Sequence, residues 1–132
     1  MNQVQAIKLV VKQTEIESGI TQTIFSGRAM RIRNAEMESL SYTEPGSGEV
    51  TLEIKPETLL LTRVGEATTT LKFSKDKVEH GNLTTNYGVI SLEILTDELE
   101  ITSSYLRWRY RLHQSGQVVG AYVSEWTMEE TE

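Results

Sequence analysis

Residues 106–113 read Leu-Arg-Trp-Arg-Tyr-Arg-Leu-His. Apolar or aromatic side chains (Leu106, Trp108, Tyr110, Leu112) alternate with cationic ones (Arg107, Arg109, Arg111). A period of two predicts a β-strand with one buried face and one wet face. The same period recurs along the chain. It is partial over residues 7–16, and residues 21–33 and 37–43 are rich in β-branched, alternating positions. Val50, Leu52 and Ile54 alternate with Thr51 and Glu53 up to Pro56, which ends a fourth strand. Further strands are predicted over residues 58–64, 68–73, 88–96, 99–102, 106–113 and 118–127. No run of about a dozen residues keeps the i, i+3, i+4, i+7 stripe of a surface helix.

Turn chemistry separates these runs. Gly19 interrupts the first. Glu44-Pro45-Gly46-Ser47-Gly48 combines a proline that presets φ with glycines that accept positive φ. Gly65-Glu66 and Gln114-Ser115-Gly116-Gln117 read as hairpin connections. A break in phase between Ser103 and Tyr105 predicts a bulge or tight turn there. Successive strands with short connections imply an antiparallel meander. About eight to ten strands must resolve their edges, and closure removes them. The expected class is therefore all-β, a single antiparallel up-and-down barrel over residues 1–132, with a β-sandwich as the alternative. A barrel of about eight strands either fills with side chains or holds one small ligand.

Composition narrows the function more than the fold. The 132 residues suit one domain and contain no cysteine, which excludes disulfides, thiolate nucleophiles and zinc-thiolate sites. Net charge is −6, so the basic ladder at Arg107, Arg109 and Arg111 lies on an acidic background. That balance argues against nucleic acid as a partner. The first dozen residues lack the apolar core of a signal peptide, and no run approaches the roughly 18 apolar residues of a spanning helix. A cytoplasmic protein without a membrane role is the simplest expectation.

Polar residues that share phase with the core are the candidate chemistry. Leu59, Leu61 and Arg63 have one phase, as do Leu40, Tyr42 and Glu44. An arginine carried inward needs a carboxylate or several acceptors, and Glu44 and Tyr42 are expected to supply them. Such a cluster either holds an anionic group or is a structural ion pair at the rim. Tyr87, ahead of Gly88, is either a mouth residue or ordinary strand-start packing. Trp108 and Tyr110, with Tyr122 and Trp126, either wall a ligand cavity or fill the barrel. Arg107, Arg109 and Arg111 are expected to face outward against acids such as Glu93 and Glu125. His80 and His113 have no metal-ligand spacing. Asn82-Leu83-Thr84 fits a glycosylation sequon, which means little without secretion. Gly46-x-Gly48 precedes no helix and is a turn, not a dinucleotide loop. No cofactor, metal site or catalytic residue is expected.

Several short motifs in this order carry a family likeness. They are Leu40-Ser-Tyr42-Thr-Glu44, Leu61-Thr-Arg63-Val-Gly65, Phe73, and Thr85-Asn-Tyr87-Gly88-Val-Ile-Ser-Leu92-Glu-Ile94-Leu-Thr96. Over residues 7–128 the chain resembles the YwiB-like family of small bacterial proteins. The resemblance implies a lipocalin-like (calycin) β-barrel and supplies no activity. The functional expectation is a non-enzymatic binding module for a small, partly apolar molecule, with an anionic group among the options. Tyr42, Glu44, Arg63, Tyr87, Trp108 and Tyr110 are its candidate ligand contacts. The alternatives are a packed barrel that serves as an interaction or scaffold module, with a homodimer compatible, and a barrel enzyme using Glu44 or Tyr42 with Arg63.

Overall fold

Alternation becomes strand throughout the computed structural model, which describes residues 2–46 and 48–131. The strands are β1 (Gln3–Glu15), β2 (Thr21–Arg33), β3 (Glu38–Glu44), β4 (Gly48–Lys55), β5 (Thr58–Val64), β6 (Thr68–Ser74), β7 (Val78–Thr85), β8 (Gly88–Ile101), β9 (Tyr105–Gln114) and β10 (Gln117–Glu130). Each pairs antiparallel with its chain neighbours, and β1 pairs with β10, so the sheet closes into an up-and-down barrel. Closure gives every long strand two partners over most of its length. No helix among the described residues is long and apolar enough to cross a membrane.

Ten strands form, but they are not the ten that alternation picks out. β7 escapes the sequence pattern, and the segments 88–96 and 99–102 are one strand. β7 reads Val-Glu-His-Gly-Asn-Leu-Thr-Thr, with Gly81 in the inward position where an apolar residue would have marked it. A Cβ at Gly81 would sit 2.9 Å from Ile94 Cδ1 and 2.9 Å from Leu71 Cδ2, so the packing there excludes a side chain. In β8 the register shifts between Thr96 and Glu98. Asp97 is the extra residue, and the bulge lets Ile94 and Thr96 face inward together with Leu99 and Ile101. The phase break near Ser103 is a tight turn in which Thr102 N donates to the Tyr105 carbonyl at 2.9 Å.

The turns after β1, β3, β5, β7 and β9 gather at one end, termed the mouth; the other four turns, with Gln3 and Glu130, lie at the base. Between them the interior is filled by rings. Phe25 stacks on Tyr42 with centroids 4.2 Å apart, and Tyr42 meets Trp126 edge-on at 5.8 Å. The series continues through Trp126–Trp108 at 6.0 Å, Trp108–Phe73 at 5.4 Å, Phe73–Tyr110 at 4.7 Å and Tyr110–Tyr122 at 5.7 Å. Ile7, Leu9, Leu40, Val50, Leu52, Leu59, Ile94 and Leu106 pack around it, each fully buried. Such rings contribute large buried areas and favourable edge contacts. Two of them have room because a glycine lies two residues away on the same face. A Cβ at Gly27 would approach Phe25 Cζ to 3.2 Å, and one at Gly120 would lie 2.6 Å from Tyr122 Cε2.

Candidate functional site

At the mouth, register brings the polar in-phase residues together. Tyr42 on β3 pairs with Val50 on β4, which pairs with Arg63 on β5. Glu44 pairs with Gly48. A short side chain at Val50 and none at Gly48 leave Arg63 free to reach across β4. Its Nε donates to Glu44 Oε2 at 3.1 Å. The side chains of Arg63 and Glu44 are 35% and 15% exposed, so the pair sits half-buried at the rim. Gly48 has φ +106, and a Cβ there would collide with the Val64 carbonyl, so glycine is required on two counts.

The phenols beside this pair stay neutral. Burial first, then the Glu44 carboxylate, pushes the Tyr42 pKa up to about 12, against a smaller opposing effect from Arg63. Burial also pushes Tyr110 up to about 12, opposed by a hydrogen bond with Ser124 and by the charge of Arg63. Neither group forms phenolate near neutral pH, so each can exchange hydrogen bonds but cannot act as a general base.

Tyr42, Glu44, Arg63 and Tyr110 thus share the mouth. Trp108 lies deeper, 1% exposed between Phe73 and Trp126, with its Nε1 lacking a hydrogen-bond partner. Tyr87 stands apart at 101% exposure in the β7–β8 turn, where its backbone N–H bonds Thr85 Oγ1 at 3.1 Å. Tyr122, expected from sequence to wall or fill the barrel beside Tyr110, joins the cluster, and so does Phe25, which alternation did not single out. The available signal was an aromatic two residues from a glycine, Phe25-Ser26-Gly27 and Gly120-Ala121-Tyr122.

The arginine ladder faces outward. Arg107 Nη1 meets Glu98 Oε2 at 2.7 Å, and Arg111 grips Asp97 with two bonds at 3.0 and 3.2 Å. These acids, not Glu93 and Glu125, are its partners. Glu93 lies opposite His113, and Glu125 accepts from Tyr105 Oη at 2.7 Å. The bulge explains the change, because it turns Asp97 and Glu98 both outward beside β9. No group of three His, Asp or Glu side chains among the described residues is arranged to hold a metal ion.

Residues 6–125 match a family model described as "Domain of unknown function (DUF1934)". The crystal structure of the ywiB protein from Bacillus subtilis has the same fold, with a TM-score of 0.76 at 17% identity. The alignment covers 98% of this chain and 94% of that one. No curated protein matches the sequence.

Proposed function

We propose, from the premise that this chain belongs to the DUF1934 family, that its barrel is a non-enzymatic binding module whose mouth takes a small, partly apolar, anionic molecule. The lipocalin-like resemblance suggests a ligand within the barrel, but the continuous series of rings occupies the middle. A ligand therefore rests on the rings at the mouth rather than among them. The observation that carries this reading is the inward guanidinium of Arg63. Glu44 holds its Nε edge and Tyr42 lies against the same guanidinium, which fixes the plane, and the remaining N–H donors can meet an oxyanion. Tyr110 and Tyr122 supply the apolar floor, and Tyr42 adds a neutral hydroxyl.

The test is a thermal-shift panel of fatty acids, nucleotides and cofactors, followed by amide chemical-shift mapping. The expected result is a saturable stabilisation by at least one anionic member, with shifts at Tyr42, Glu44, Arg63, Tyr110 and Tyr122, lost in Arg63→Met. No response from any member, or a response that survives Arg63→Met, would overturn it.

A second reading has its own observation. Ile20, Val64, Tyr87, Val89, Val118 and Val119 are exposed around the same mouth. β8 meets β9 only from Glu93 onward, so among the described residues 88–92 pair with β7 on one side alone. An apolar collar beside a free strand edge suits a second copy of this chain, added edge to edge. Light scattering decides this: a dimer that Val89→Lys dissociates supports it, and a monomer at high micromolar concentration rejects it.

A further inference from the structure

The base of the barrel holds a second charged cluster, unrelated to the mouth. In β2 the apolar residues Met30 and Ile32 lie outside the barrel, and the inward face runs Ala29, Arg31, Arg33. Met30 is 42% exposed, whereas Arg31 is only 2% exposed. The β1 register dictates this, because Ile7 pairs with Ala29 and Gln5 with Arg31. A buried guanidinium carries five N–H donors and requires acceptors for them.

The acceptors present are few and shared. Glu38 Oε1 lies 3.4 Å from Arg31 Nε and 3.0 Å from Arg33 Nε. The Ser103 carbonyl receives Arg31 Nη1 and Arg33 Nη2, both at 3.4 Å. Arg31 Nε is buried and makes no hydrogen bond. Two cations therefore share one ion-paired carboxylate, with Glu130 at the border of the same partly enclosed place. Burial, then the neighbouring Arg33, lowers the Arg31 pKa from its ordinary value, with Glu38 and Glu130 opposing. A pocket of about 320 Å³ opens onto both arginines, lined also by Gln3, Gln5 and Glu130. Glu130 forms no ion pair with either arginine among the described residues.

We infer that this pocket is an oxyanion site, in which a carboxylate or phosphate group bonds Arg31 and Arg33 together. An oxyanion in the pocket gives the two guanidiniums, whose Nη bonds to the Ser103 carbonyl are long at 3.4 Å, a further charged acceptor. Gln3 and Gln5 carry side-chain amides that can donate to the same group. Glu130 is the resident competitor, since its carboxylate borders the pocket with the same sign as the ligand.

The experiment is an amide chemical-shift titration of the whole protein with inorganic phosphate, with acetate and with chloride, at constant ionic strength. The expected result is a saturable shift with phosphate or acetate, centred on Gln5, Arg31, Arg33 and Ser103, and absent with chloride. Whichever oxyanion saturates at lower concentration identifies the chemistry. Arg31→Met abolishes it. Because that variant can fail to fold, Arg33→Gln, at a half-exposed position, is the second test and weakens binding about tenfold or more, the worth of a charged hydrogen bond. Glu130→Gln tightens it. Arg63→Met leaves it intact, which separates this site from the one at the mouth. Saturation by neither oxyanion, an equal response to chloride, or unchanged binding in Arg33→Gln would each overturn the inference.

Discussion

Single residues with special geometry carry much of this barrel. Gly48 combines φ +106 with a backbone contact that leaves no room for a Cβ, whereas Gly116, at φ +80, has nothing within 4 Å. The two positions separate conformational strain from collision. Gly116→Ala is expected to cost about 1 kcal/mol, the left-handed penalty alone. Gly48→Ala adds displacement of β5 and is expected to cost about 3 kcal/mol or more. Urea midpoints of the two variants check this, and similar losses would show that β5 yields without cost. Glu44 was readable from alternation because β3 has one clean apolar phase, and Arg63 was readable once Leu59 and Leu61, against Leu60 and Val64, are taken as the inward phase of β5. Arg31 was not, because β2 has apolar residues in both phases: Phe25 and Ala29 in one, Met30 and Ile32 in the other. Only pairing with β1 decides between them.

Elements are joined by turns and bulges whose chemistry makes separate predictions. The β9–β10 hairpin turns on Ser115 and Gly116, both at positive φ, 51° and 80°. That is the pattern of a type I′ turn, which favours Asn at the first position. Ser115→Asn is expected to raise stability by about 0.5 kcal/mol, read as a higher denaturant midpoint with unchanged slope. Asp97 is the extra residue of the β8 bulge. Its deletion restores plain alternation and still leaves Leu99 and Ile101 facing inward. The fold should survive, with a loss of at most about 1 kcal/mol from the exposed Arg111 pair. Deleting Leu95 instead carries a carboxylate into the buried place of Thr96, at a cost of about 3 kcal/mol or more. Thermal denaturation of both deletions is the measurement; equal damage would contradict the placement of the bulge. Alternation located nine of the ten strands in whole or part. β7 was missed because its inward face contains a glycine and a glutamate, Gly81 and Glu79, in place of an apolar pair.

At the scale of the molecule, a ring-filled interior makes stability sensitive to alkali. Tyr42, Tyr105 and Tyr110 have pKa values raised to about 12, with burial the leading cause in each. An unfolded tyrosine ionises near 10, so the folded chain holds these protons more tightly. The stabilisation is fully present below about pH 10 and is lost as pH rises toward 12. For the two well-buried groups, Tyr42 and Tyr110, it is on the order of 3 kcal/mol each. Denaturant midpoints should be level from neutral pH to about 10 and then fall steeply, with phenolate absorbance for these groups appearing only as the fold is lost. Early ionisation without unfolding would show the rings to be wetter than their packing indicates.

The sequence by itself determined the all-β class and the antiparallel meander, favoured a closed barrel over a sandwich, and put Tyr42, Glu44 and Arg63 forward as partners. These follow from local rules: a period of two, turn residues at the breaks, and the need of a many-stranded sheet to cover its edges. Tertiary structure alone decided the rest. It merged two predicted strands across the Asp97 bulge, joined seven rings into one core, and turned Arg31 and Arg33 inward at the base. Each of these depends on which residue lies opposite which across a ladder. Register is a property of paired strands, so it cannot be read from either strand alone.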